Sequence, residues 1–381
     1  MFVCEVVKQI IHEPVLMLDL CAAPGGKSTA LRSALPEGSL LFSNEPVKTR
    51  ASILKENMQK QGHPDVIVTN NFPKDYRKSK LMFDAILADV PCSGEGMFRK
   101  DPNSIQEWSQ QNVEKCRLLQ RSIIEDAWHC LRPGGFLIYS TCTFNAHEDE
   151  ENAEWIAKTL DADFIDIKTK EEWNISGALV GSNPAYRFIP GVTRGEGLFM
   201  TVLRKRGDSA RTHNNTPTCH PKQAKNIDKT RNWLNGDFTY VEEKDTITAI
   251  PSRWIGMYNN VRNKLHVIHA GVGIGTIKGK DIIPDNSLAL SMALNREAFN
   301  IAELDHDTAI RYLRKEAITL DAATPKGFAI VAYKGHPLGF VKNLGNRANN
   351  LYPQEWRIKS THVASNAQSP ILPHQPEEAQ P

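Results

Sequence analysis

Met17-Leu18-Asp19-Leu20-Cys21-Ala22-Ala23-Pro24-Gly25-Gly26-Lys27-Ser28-Thr29 is the stretch that best predicts the fold of this 381-residue chain. An apolar run over 15–20 stops at small residues and a Pro-Gly-Gly turn, and helix-forming residues follow. The pattern predicts a strand, a glycine loop and a helix. In an open parallel sheet this junction lies at the carboxyl edge, where small residues let backbone N–H groups approach a ligand. We therefore predict a ligand site at the loop.

Three interpretations of the glycine loop compete. Gly26, Lys27 and Ser28 resemble the end of a phosphate-binding P-loop, but that motif requires a glycine five positions before Gly26, where Cys21 stands. The G-x-G-x-x-G fingerprint of dinucleotide-binding proteins is absent. A tight turn that binds nothing remains an alternative for this loop alone.

Apolar runs and helical segments alternate along the first half of the chain. Strands are predicted over 15–20, 39–43, 66–69, 83–89, 136–140, 164–167 and 198–203. Strands that alternate with helices imply a parallel, doubly wound α/β sheet of about seven strands. Helices are also predicted over 1–11 and, with amphipathic character, over 105–130.

Composition limits the class of protein. The hydrophobic content is 40%, and no apolar run approaches the roughly 20 residues that a membrane span needs. We therefore predict no membrane association. The seven cysteines form an odd set without a C-x-x-C pair, which argues against a disulfide framework and a zinc ribbon. A cytoplasmic protein without a metal or an obligate protein partner is predicted.

The second half of the chain differs in charge and pattern. Residues 1–210 hold 25 Lys and Arg against 28 Asp and Glu, whereas residues 211–381 hold 21 against 16. The basic surplus is a hint of a polyanionic partner, although ordinary solvated lysines explain it equally well. We predict a basic linker over 207–239, a compact α+β module over 240–358 and a disordered tail over 359–381.

Acidic residues follow or precede several predicted elements. Glu45 follows the second strand, where a carboxylate can accept the two hydroxyls of a ribose. An ion pair with Lys48 or Arg50 explains Glu45 equally well. The acidic run over 148–151 lies near the start of a predicted helix, and favourable interaction with the helix dipole accounts for most of it.

Two cysteines lie at the same predicted sheet edge as the glycine loop. Cys92 follows the fourth strand and Cys142 follows the fifth. Cys116 and Cys130, by contrast, fall on apolar helix faces and are interpreted as small buried hydrophobes. Because Cys92 and Cys142 stand among polar, Gly and Pro residues, burial alone explains them less well. A disulfide between them is disfavoured in the cytosol.

Cytosine methylation explains such a pair of thiols. C5 of cytosine is a poor nucleophile, but a thiolate that adds at C6 turns the ring into an enamine whose C5 attacks an electrophilic methyl group. Afterwards the C5 proton leaves and the C6–S bond breaks, which gives a second cysteine a role. Asp89, at the end of the fourth strand, can hydrogen-bond the N3/N4 edge of the base. Lys27 can lower the pKa of the attacking thiol, since only the thiolate attacks.

Four motifs in this order resemble the RNA 5-methylcytosine methyltransferases of the Sun (NSUN) family. They are Asp-Leu-Cys-Ala-Ala-Pro-Gly-Gly-Lys (19–27), Asp-Val-Pro-Cys-Ser-Gly-Glu-Gly (89–96), Leu-Arg-Pro-Gly-Gly (131–135) and Ser-Thr-Cys-Thr (140–143). Residues 94–101 and 195–199 look most like the bacterial RsmF branch, which modifies small-subunit ribosomal RNA. The resemblance is strong over 1–206, and residues 240–358 look more weakly like the PUA-like RNA-binding region of that branch.

The resemblance implies a Rossmann-like class I methyltransferase domain over 1–206 with S-adenosylmethionine as its cofactor. It implies that the cofactor is bound by the residues of the glycine loop, Cys21, Ala22, Ala23, Pro24, Gly25, Gly26 and Lys27. Glu45 would bind the ribose, and Asp89 would lie near the methionine end and the base. Cys142 would be the nucleophile, and Cys92 would assist product release. The family usually places an Asp near the adenine, and here Asn71 can still hydrogen-bond the adenine edge.

The resemblance also implies RNA as the partner, with ribosomal RNA as the first candidate and the same chemistry on tRNA as the alternative. Family members carry an N-terminal RNA-binding region before the helix at 1–11, so we expect a truncated gene or a fragment. Two functions from other classes compete. A P-loop ATPase fails at Cys21, and a catalytically inactive RNA-binding protein would need a broken site, whereas Cys92 and Cys142 are both present.

Overall fold

The computed structural model describes residues 1–207 and 230–360, which divide into two compact units, Met1–Leu294 and Asn295–Pro381. The strands of the first unit are β1 (Leu16–Asp19), β2 (Leu40–Asn44), β3 (Val66–Thr69), β4 (Phe83–Asp89), β5 (Leu131–Thr141), β6 (Ala162–Phe164), β7 (Tyr186–Phe188), β8 (Leu198–Lys205), β9 (Phe238–Glu243), β10 (Thr246–Pro251), β11 (Val267–Ala270), β12 (Val272–Lys278) and β13 (Asp281–Pro284). Its helices are α1 (Phe2–Ile10), α2 (Gly26–Ala34), α3 (Lys48–Gln61), α4 (Pro73–Ser79), α5 (Pro102–Glu107), α6 (Gln110–Trp128), α7 (Glu150–Thr159), α8 (Ile255–Arg262) and α9 (Asn286–Leu290).

The main sheet of the first unit confirms the predicted doubly wound α/β architecture. Its described strands have the order β11-β3-β2-β1-β4-β5-β8-β6, and β7 pairs with β8. Strands β1 to β5 run parallel, whereas β8 is antiparallel to both β5 and β6. The predicted parallel arrangement therefore holds for β1 to β5 and not for the strands beyond β5. β7 leads into β8 without a crossover helix, so these two strands pair antiparallel, since only a crossover connection can join parallel neighbours.

The seven predicted strands are present, with differences at their ends. β5 begins at Leu131, five residues before the predicted start, because Leu131 pairs with Phe83 of β4. β6 comes slightly earlier than predicted. The predicted helix over 105–130 is two helices, since the side chain of Ser109 accepts a hydrogen bond from the Asn112 N–H at 3.1 Å and begins α6 as its N-cap.

Both faces of the main sheet are buried, which is typical of a doubly wound fold. Leu16 and Leu18 of β1 lie in one core cluster with Phe83, while Met17 between them lies in the cluster on the other face. This alternation follows from the two-residue period of a strand. The predicted first helix is α1, which buries Phe2, Val3, Val6 and Val7 in the second cluster.

Residues 230–294 belong to the first unit, so the division between units does not fall at the predicted boundary of residue 240. β11 pairs antiparallel with β3 at the edge of the main sheet, and Val261 and Leu265 are buried in the same cluster as Phe83. The reason is that a free strand edge leaves backbone groups unpaired, and β11 covers that edge. Strands β9, β10, β12 and β13 form a separate four-stranded sheet. Most of the predicted linker over 207–239 and almost all of the tail over 359–381 lie outside the described residues.

The second unit is a small α+β fold, in agreement with the predicted mixed pattern. Its strands β14 (Asn300–Glu303), β15 (Gly327–Tyr333), β16 (His336–Asn343) and β17 (Ala348–Asn350) form one sheet, and α10 (His306–Leu313) accompanies it. Tyr312 of α10 packs with Val331 and Val341 in its core. Across the described parts of both units, no helix is long and apolar enough to cross a membrane.

Candidate active site

The glycine loop joins β1 to α2 and is held by side chains of α3. Gly25 has a φ of +114° at the N-cap of α2, a left-handed conformation that glycine adopts readily. Asn57 Nδ2 donates to the Pro24 carbonyl at 2.7 Å, and Arg50 Nη2 donates to the Ala23 carbonyl at 3.0 Å. Helix α3 therefore fixes the backbone of the loop on which the cofactor prediction rests.

Asp19 is a site residue that the sequence reasoning did not single out. Its carboxyl group is fully buried, and Ser28 Oγ donates to Oδ2 at 2.6 Å. Oδ1 has no hydrogen-bond partner among the described residues. Burial raises the pKa of Asp19 to about 7, although the Ser28 hydrogen bond opposes the shift. A buried polar atom without a partner is a candidate for ligand contact, and the available signal was a charged residue at the end of an apolar strand.

Glu45 and Arg50 connect β2 to the glycine loop. Glu45 is 1% exposed, its Oε1 accepts the Val47 N–H at 2.9 Å, and its Oε2 lies 3.6 Å from Arg50 Nη1. The ion pair with Arg50 that the sequence left open is therefore present. It does not exclude a ligand contact, because a carboxylate offers about four acceptor positions.

Asn71 links the end of β3 to two other segments. Its N–H donates to Asn44 Oδ1 at 3.0 Å, and its carbonyl accepts from Asn44 Nδ2 at 2.9 Å. Its own Oδ1 accepts the His266 N–H at 2.9 Å, while the His266 carbonyl accepts the Asn70 N–H at 3.0 Å. A segment just before β11 thus borders this end of the site.

Asp89 and Lys27 form an ion pair between β4 and the glycine loop. Lys27 Nζ lies 2.8 Å from Asp89 Oδ2, and Ser140 Oγ donates to Asp89 Oδ1 at 2.8 Å. About a quarter of each charged side chain is exposed, 27% for Lys27 and 28% for Asp89. The pair therefore brings the loop to the ends of β4 and β5 without being closed off from solvent.

Cys92 and Cys142 meet at the ends of β4 and β5. Their Sγ atoms are 2.9 Å apart, and the Cys142 N–H donates to Cys92 Sγ at 3.2 Å. Both are free thiols. The structure therefore brings together the two cysteines that the strand-end pattern placed at one edge.

The pKa values of the two thiols are shifted in opposite directions. The hydrogen bond from Cys92 lowers the pKa of Cys142, and the Lys27 ammonium also lowers it, against burial and the Asp89 carboxylate. The same hydrogen bond, together with burial, raises the pKa of Cys92 well above its usual value. Either sulfur can donate in this contact, and the lowered pKa of Cys142 favours the arrangement in which the Cys92 thiol donates to a Cys142 thiolate.

Cys21 lies among the three carboxylates of the site. Burial raises the pKa of its thiol, and the charges of Asp19, Asp89 and Glu45 raise it further. Cys21 therefore stays neutral, and its position shows that the glycine loop lies between the Glu45 end and the Asp89 end of the sheet edge.

The acidic run over 148–151 has specific partners as well as a helix start. α7 begins at Glu150, whose Oε1 accepts from the buried Arg187 Nε at 2.9 Å. Glu148 is fully buried, and its Oε2 accepts the Ser93 N–H at 3.0 Å and Gln120 Nε2 at 2.7 Å. The helix-dipole explanation is therefore incomplete, because Glu148, Asp149 and Glu150 all bind groups outside the helix.

Cys116 and Cys130 have other surroundings than the cysteines of the site. Burial raises the pKa of Cys116 to about 11 and that of Cys130 to about 12, so both stay neutral thiols. Cys130 belongs to the core cluster of β4 and β5, as predicted, whereas Cys116 is only half-buried, so the prediction of a buried residue is wrong for Cys116. Within 1–207 and 230–360, no group of three His, Cys, Asp or Glu side chains is arranged to hold a metal ion.

Comparisons with known proteins match both units of the chain. A family model described as 16S rRNA methyltransferase RsmB/F matches residues 10–204, and one described as methyltransferase RsmF PUA domain matches residues 299–358. Ribosomal RNA small subunit methyltransferase F of Shewanella oneidensis is 30% identical over 355 residues, which cover 89% of this chain and 73% of that protein. The protein of that name from Shewanella loihica is 28% identical and covers 91% and 74%.

Solved structures match part of the chain. NSun6 from Pyrococcus horikoshii, crystallised with SFG, is 27% identical with a TM-score of 0.48. The match covers 54% of this chain and 51% of the NSun6 chain, so this chain spans about half the length of NSun6.

Proposed function

Because the chain belongs to the RsmB/F family of 16S rRNA methyltransferases, which use S-adenosylmethionine, we propose that it methylates C5 of a cytidine in small-subunit ribosomal RNA through a covalent adduct between Cys142 and C6. The observation that carries this proposal is the contact of Cys92 and Cys142 beside the Lys27–Asp89 pair. A thiolate, a donor thiol, a carboxylate and a glycine loop then share one sheet edge.

The residues at the loop fit S-adenosylmethionine. A Cβ on Gly26 would meet no atom within 4 Å, which leaves room for a ligand beside the loop. Asp19 Oδ1 is buried and has no hydrogen-bond partner among the described residues. The proposed binding residues are Cys21, Ala22, Ala23, Pro24, Gly25, Gly26 and Lys27, with Glu45 at the ribose, Asn71 at the adenine and Asp89 at the methionine end. Bound there, S-adenosylmethionine supplies an electrophilic methyl group.

Cys142 begins the reaction as the nucleophile. Its thiolate adds to C6 of the cytosine, and the electron pair of the C5–C6 bond moves so that C5 becomes nucleophilic. The Cys92 thiol and the Lys27 ammonium favour the thiolate form before the attack. C5 then takes the methyl group. When a base removes the C5 proton, the electron pair of that C–H bond re-forms the C5–C6 double bond, and the C6–S bond breaks to restore the Cys142 thiolate.

Asp89 and Cys92 have different tasks in this scheme. Asp89 accepts from Lys27 and Ser140 and keeps further acceptor positions for the N4 amino group of the cytosine. Cys92 keeps its proton at neutral pH because its pKa is raised. We assign it to product release, because the hydrogen bond with Cys142 that raises the Cys92 pKa is lost once the Cys142 sulfur is bonded to C6, and Cys92 then acts as the base that takes the C5 proton.

The RNA must present the target base outside a helix. A thiol reaches C6 only when the cytidine is unstacked, so a single-stranded or flippable cytidine is the substrate. We assign methyl transfer to residues 1–206 and RNA binding in part to the region matched by the PUA model. Action on ribosomal RNA agrees with the cytoplasmic location predicted from the cysteine pattern.

The test is to incubate the full chain with methyl-labelled S-adenosylmethionine and unmethylated small-subunit ribosomal RNA, and to identify the labelled nucleoside by mass spectrometry. We expect 5-methylcytidine with the native protein and no labelled nucleoside with Cys142→Ser. Label on N4 of cytidine or on another base would contradict the proposal. Transfer to tRNA in preference to ribosomal RNA would keep the chemistry and overturn the substrate.

A further inference from the structure

Glu148 is a buried carboxylate whose hydrogen-bond donors are neutral groups. The Ser93 N–H donates to its Oε2 at 3.0 Å, Gln120 Nε2 donates to Oε2 at 2.7 Å, and Asn145 Nδ2 donates to Oε1 at 2.9 Å. The side chain is fully buried. Burying a carboxylate is costly, so a fold that keeps one needs the donors to be well placed.

These hydrogen bonds hold the segment that carries Cys92. Ser93 follows Cys92 directly and is bound to Glu148 through its N–H. Pro91 precedes Cys92, and its carbonyl accepts from Gln120 Nε2 at 3.0 Å, the same nitrogen that donates to Glu148. Cys92 is therefore fixed on both sides by one carboxylate and one amide.

The same carboxylate is connected to the Cys142 segment. Asn145 lies three residues after Cys142, and its Oδ1 accepts the Glu148 N–H at 3.0 Å while its Nδ2 donates to the carboxylate. Ser93 Oγ lies 3.0 Å from Thr143 Oγ1, which joins the two cysteine segments directly. Glu148 is thus the point where both segments are bound.

We propose that Glu148 is a positioning residue for the cysteine pair, which it serves by holding residues 91–93 so that Cys92 stays within hydrogen-bond distance of Cys142. Its place in catalysis rests on the function proposed above. Its charge acts in the same direction, because the Glu148 carboxylate helps to raise the pKa of Cys92 and keeps that thiol protonated as the donor. Glu148 itself is assigned no contact with the substrate.

The other titratable groups around the pair are known. Lys27 and Asp89 act on Cys142 from the glycine loop and from β4, and Tyr139 and Cys116 lie within electrostatic range from β5 and α6. Besides burial, the Glu148 carboxylate also raises the pKa of Tyr139 and that of Cys116. The side chain in hydrogen-bond contact with the Cys142 thiol is that of Cys92, so we expect the main change in Cys142 reactivity to come through Cys92.

The test measures the pH dependence of Cys142 alkylation by iodoacetamide in the full chain, by quantifying the Cys142 peptide with mass spectrometry. Glu148→Gln replaces one acceptor oxygen by an amide N–H₂ group, which cannot accept hydrogen bonds from the surrounding donors. Residues 91–93 should therefore no longer be held in place. We expect the apparent pKa of Cys142 to rise and its alkylation rate at pH 7 to fall about three- to tenfold, since a rise of one pKa unit lowers the thiolate fraction up to tenfold. An unchanged profile would overturn the proposal.

A double-mutant cycle separates positioning from general damage. Cys92→Ala removes the donor, and Glu148→Gln should have no further effect in that background. An equal effect of Glu148→Gln with and without Cys92 would overturn the proposal. The matched control is Glu151→Gln, which removes the same charge three residues later from a side chain that is 44% exposed and paired with His147. It should leave the profile unchanged, and a shift as large as that of Glu148→Gln would also overturn it.

A milder variant decides the matter if Glu148→Gln does not fold. Asn145→Ala removes one donor from a half-buried position and should raise the apparent pKa of Cys142 by a smaller amount. A folded Asn145→Ala protein with the native profile would contradict the proposal. Alkylation needs neither RNA nor cofactor, so these outcomes are independent of whether the native chain forms 5-methylcytidine.

Discussion

The two sides of the sheet edge are built in different ways. The thiol side, formed by the ends of β4 and β5 with Cys92 and Cys142, is held mainly by contacts among residues 89–152, together with Lys27 and Arg187. The other side, which we call the nucleoside side because the ribose and adenine are proposed to bind there, is formed by the ends of β2 and β3 with Glu45 and Asn71 and is bordered by His266. That residue lies outside both matched regions, 10–204 and 299–358. Local motifs therefore describe the thiol side well and the nucleoside side incompletely.

Breaking the thiol side should have the largest effect. Cys142→Ser should lower turnover on the order of 10⁴-fold and abolish any covalent complex with RNA, because the attacking thiolate is gone. Cys92→Ser should still form the adduct and methylate C5, then stall at product release, which leaves protein crosslinked to RNA. A denaturing gel with labelled RNA measures both.

The opposite pattern would reverse these roles. A crosslink that accumulates with Cys142→Ser and not with Cys92→Ser would make Cys92 the nucleophile. A stable crosslink with neither variant would return both residues to the role of buried thiols. Cys116→Ser is the control, because its half-buried thiol lies outside the proposed reaction and should leave turnover unchanged.

The second prediction distinguishes the contribution of residues 230–294 to stability and cofactor affinity from the contribution of the second unit. A chain that ends at residue 207 loses β11 together with the buried Tyr258, Val261 and Leu265, so its free energy of unfolding should fall on the order of 5 kcal/mol. Its affinity for S-adenosylhomocysteine should fall with it, because Asn71 loses its contact with His266. A chain that ends at Leu294 should keep both properties.

RNA binding should respond to the second truncation. Removal of residues 295–381 should weaken RNA affinity and flatten its dependence on salt, since fewer phosphates would be neutralised. Calorimetry with S-adenosylhomocysteine and RNA titrations at several salt concentrations give the two readouts. If the chains that end at residue 207 and at Leu294 bind S-adenosylhomocysteine equally, His266 does not support the nucleoside side. The distinction between the two sides of the edge would then be lost.

Sequence patterns predict what depends on local order. The strands β1 to β5, the glycine loop and the meeting of Cys92 with Cys142 follow from apolar runs and from the rule that parallel strands end at one edge. The pairing of β11 with β3 does not, because periodicity identifies a strand without identifying its partner. Glu148 was missed for a similar reason, since an acidic residue near a helix start has an adequate local explanation until its distant donors are known.

The third prediction concerns Asp19, which lies between the two sides. Burial raises its pKa from 3.8 to about 7, so the folded protein holds a proton that the unfolded chain releases between these values. The stability that this neutral carboxyl contributes is complete below about pH 4 and is lost as the pH rises to about 7. Asp19→Asn stays neutral and should lack this loss.

The measurement is the free energy of unfolding of the cofactor-free protein at several pH values. Between pH 5 and pH 8 the stability of Asp19→Asn relative to the native chain should increase by about 2–3 kcal/mol. The variant also changes the hydrogen bond with Ser28, so the slope with pH is diagnostic and the absolute difference is not. Parallel curves for the two proteins would mean that Asp19 is ionised throughout.

The smallest expected effect sharpens the description of the nucleoside side. Asn71→Ala removes the Oδ1 that accepts the His266 N–H, and a single hydrogen bond is worth about 1 kcal/mol, so affinity for S-adenosylhomocysteine should fall about fivefold. Asn71→Asp keeps an oxygen in that place and should bind within about twofold of the native chain. If Asn71→Asp instead binds as weakly as Asn71→Ala, the amide Nδ2 is the functional atom and the nucleoside side depends on a direct contact with the ligand. If neither variant changes affinity, His266 borders the site without contributing to it, and the nucleoside side is as local as the thiol side.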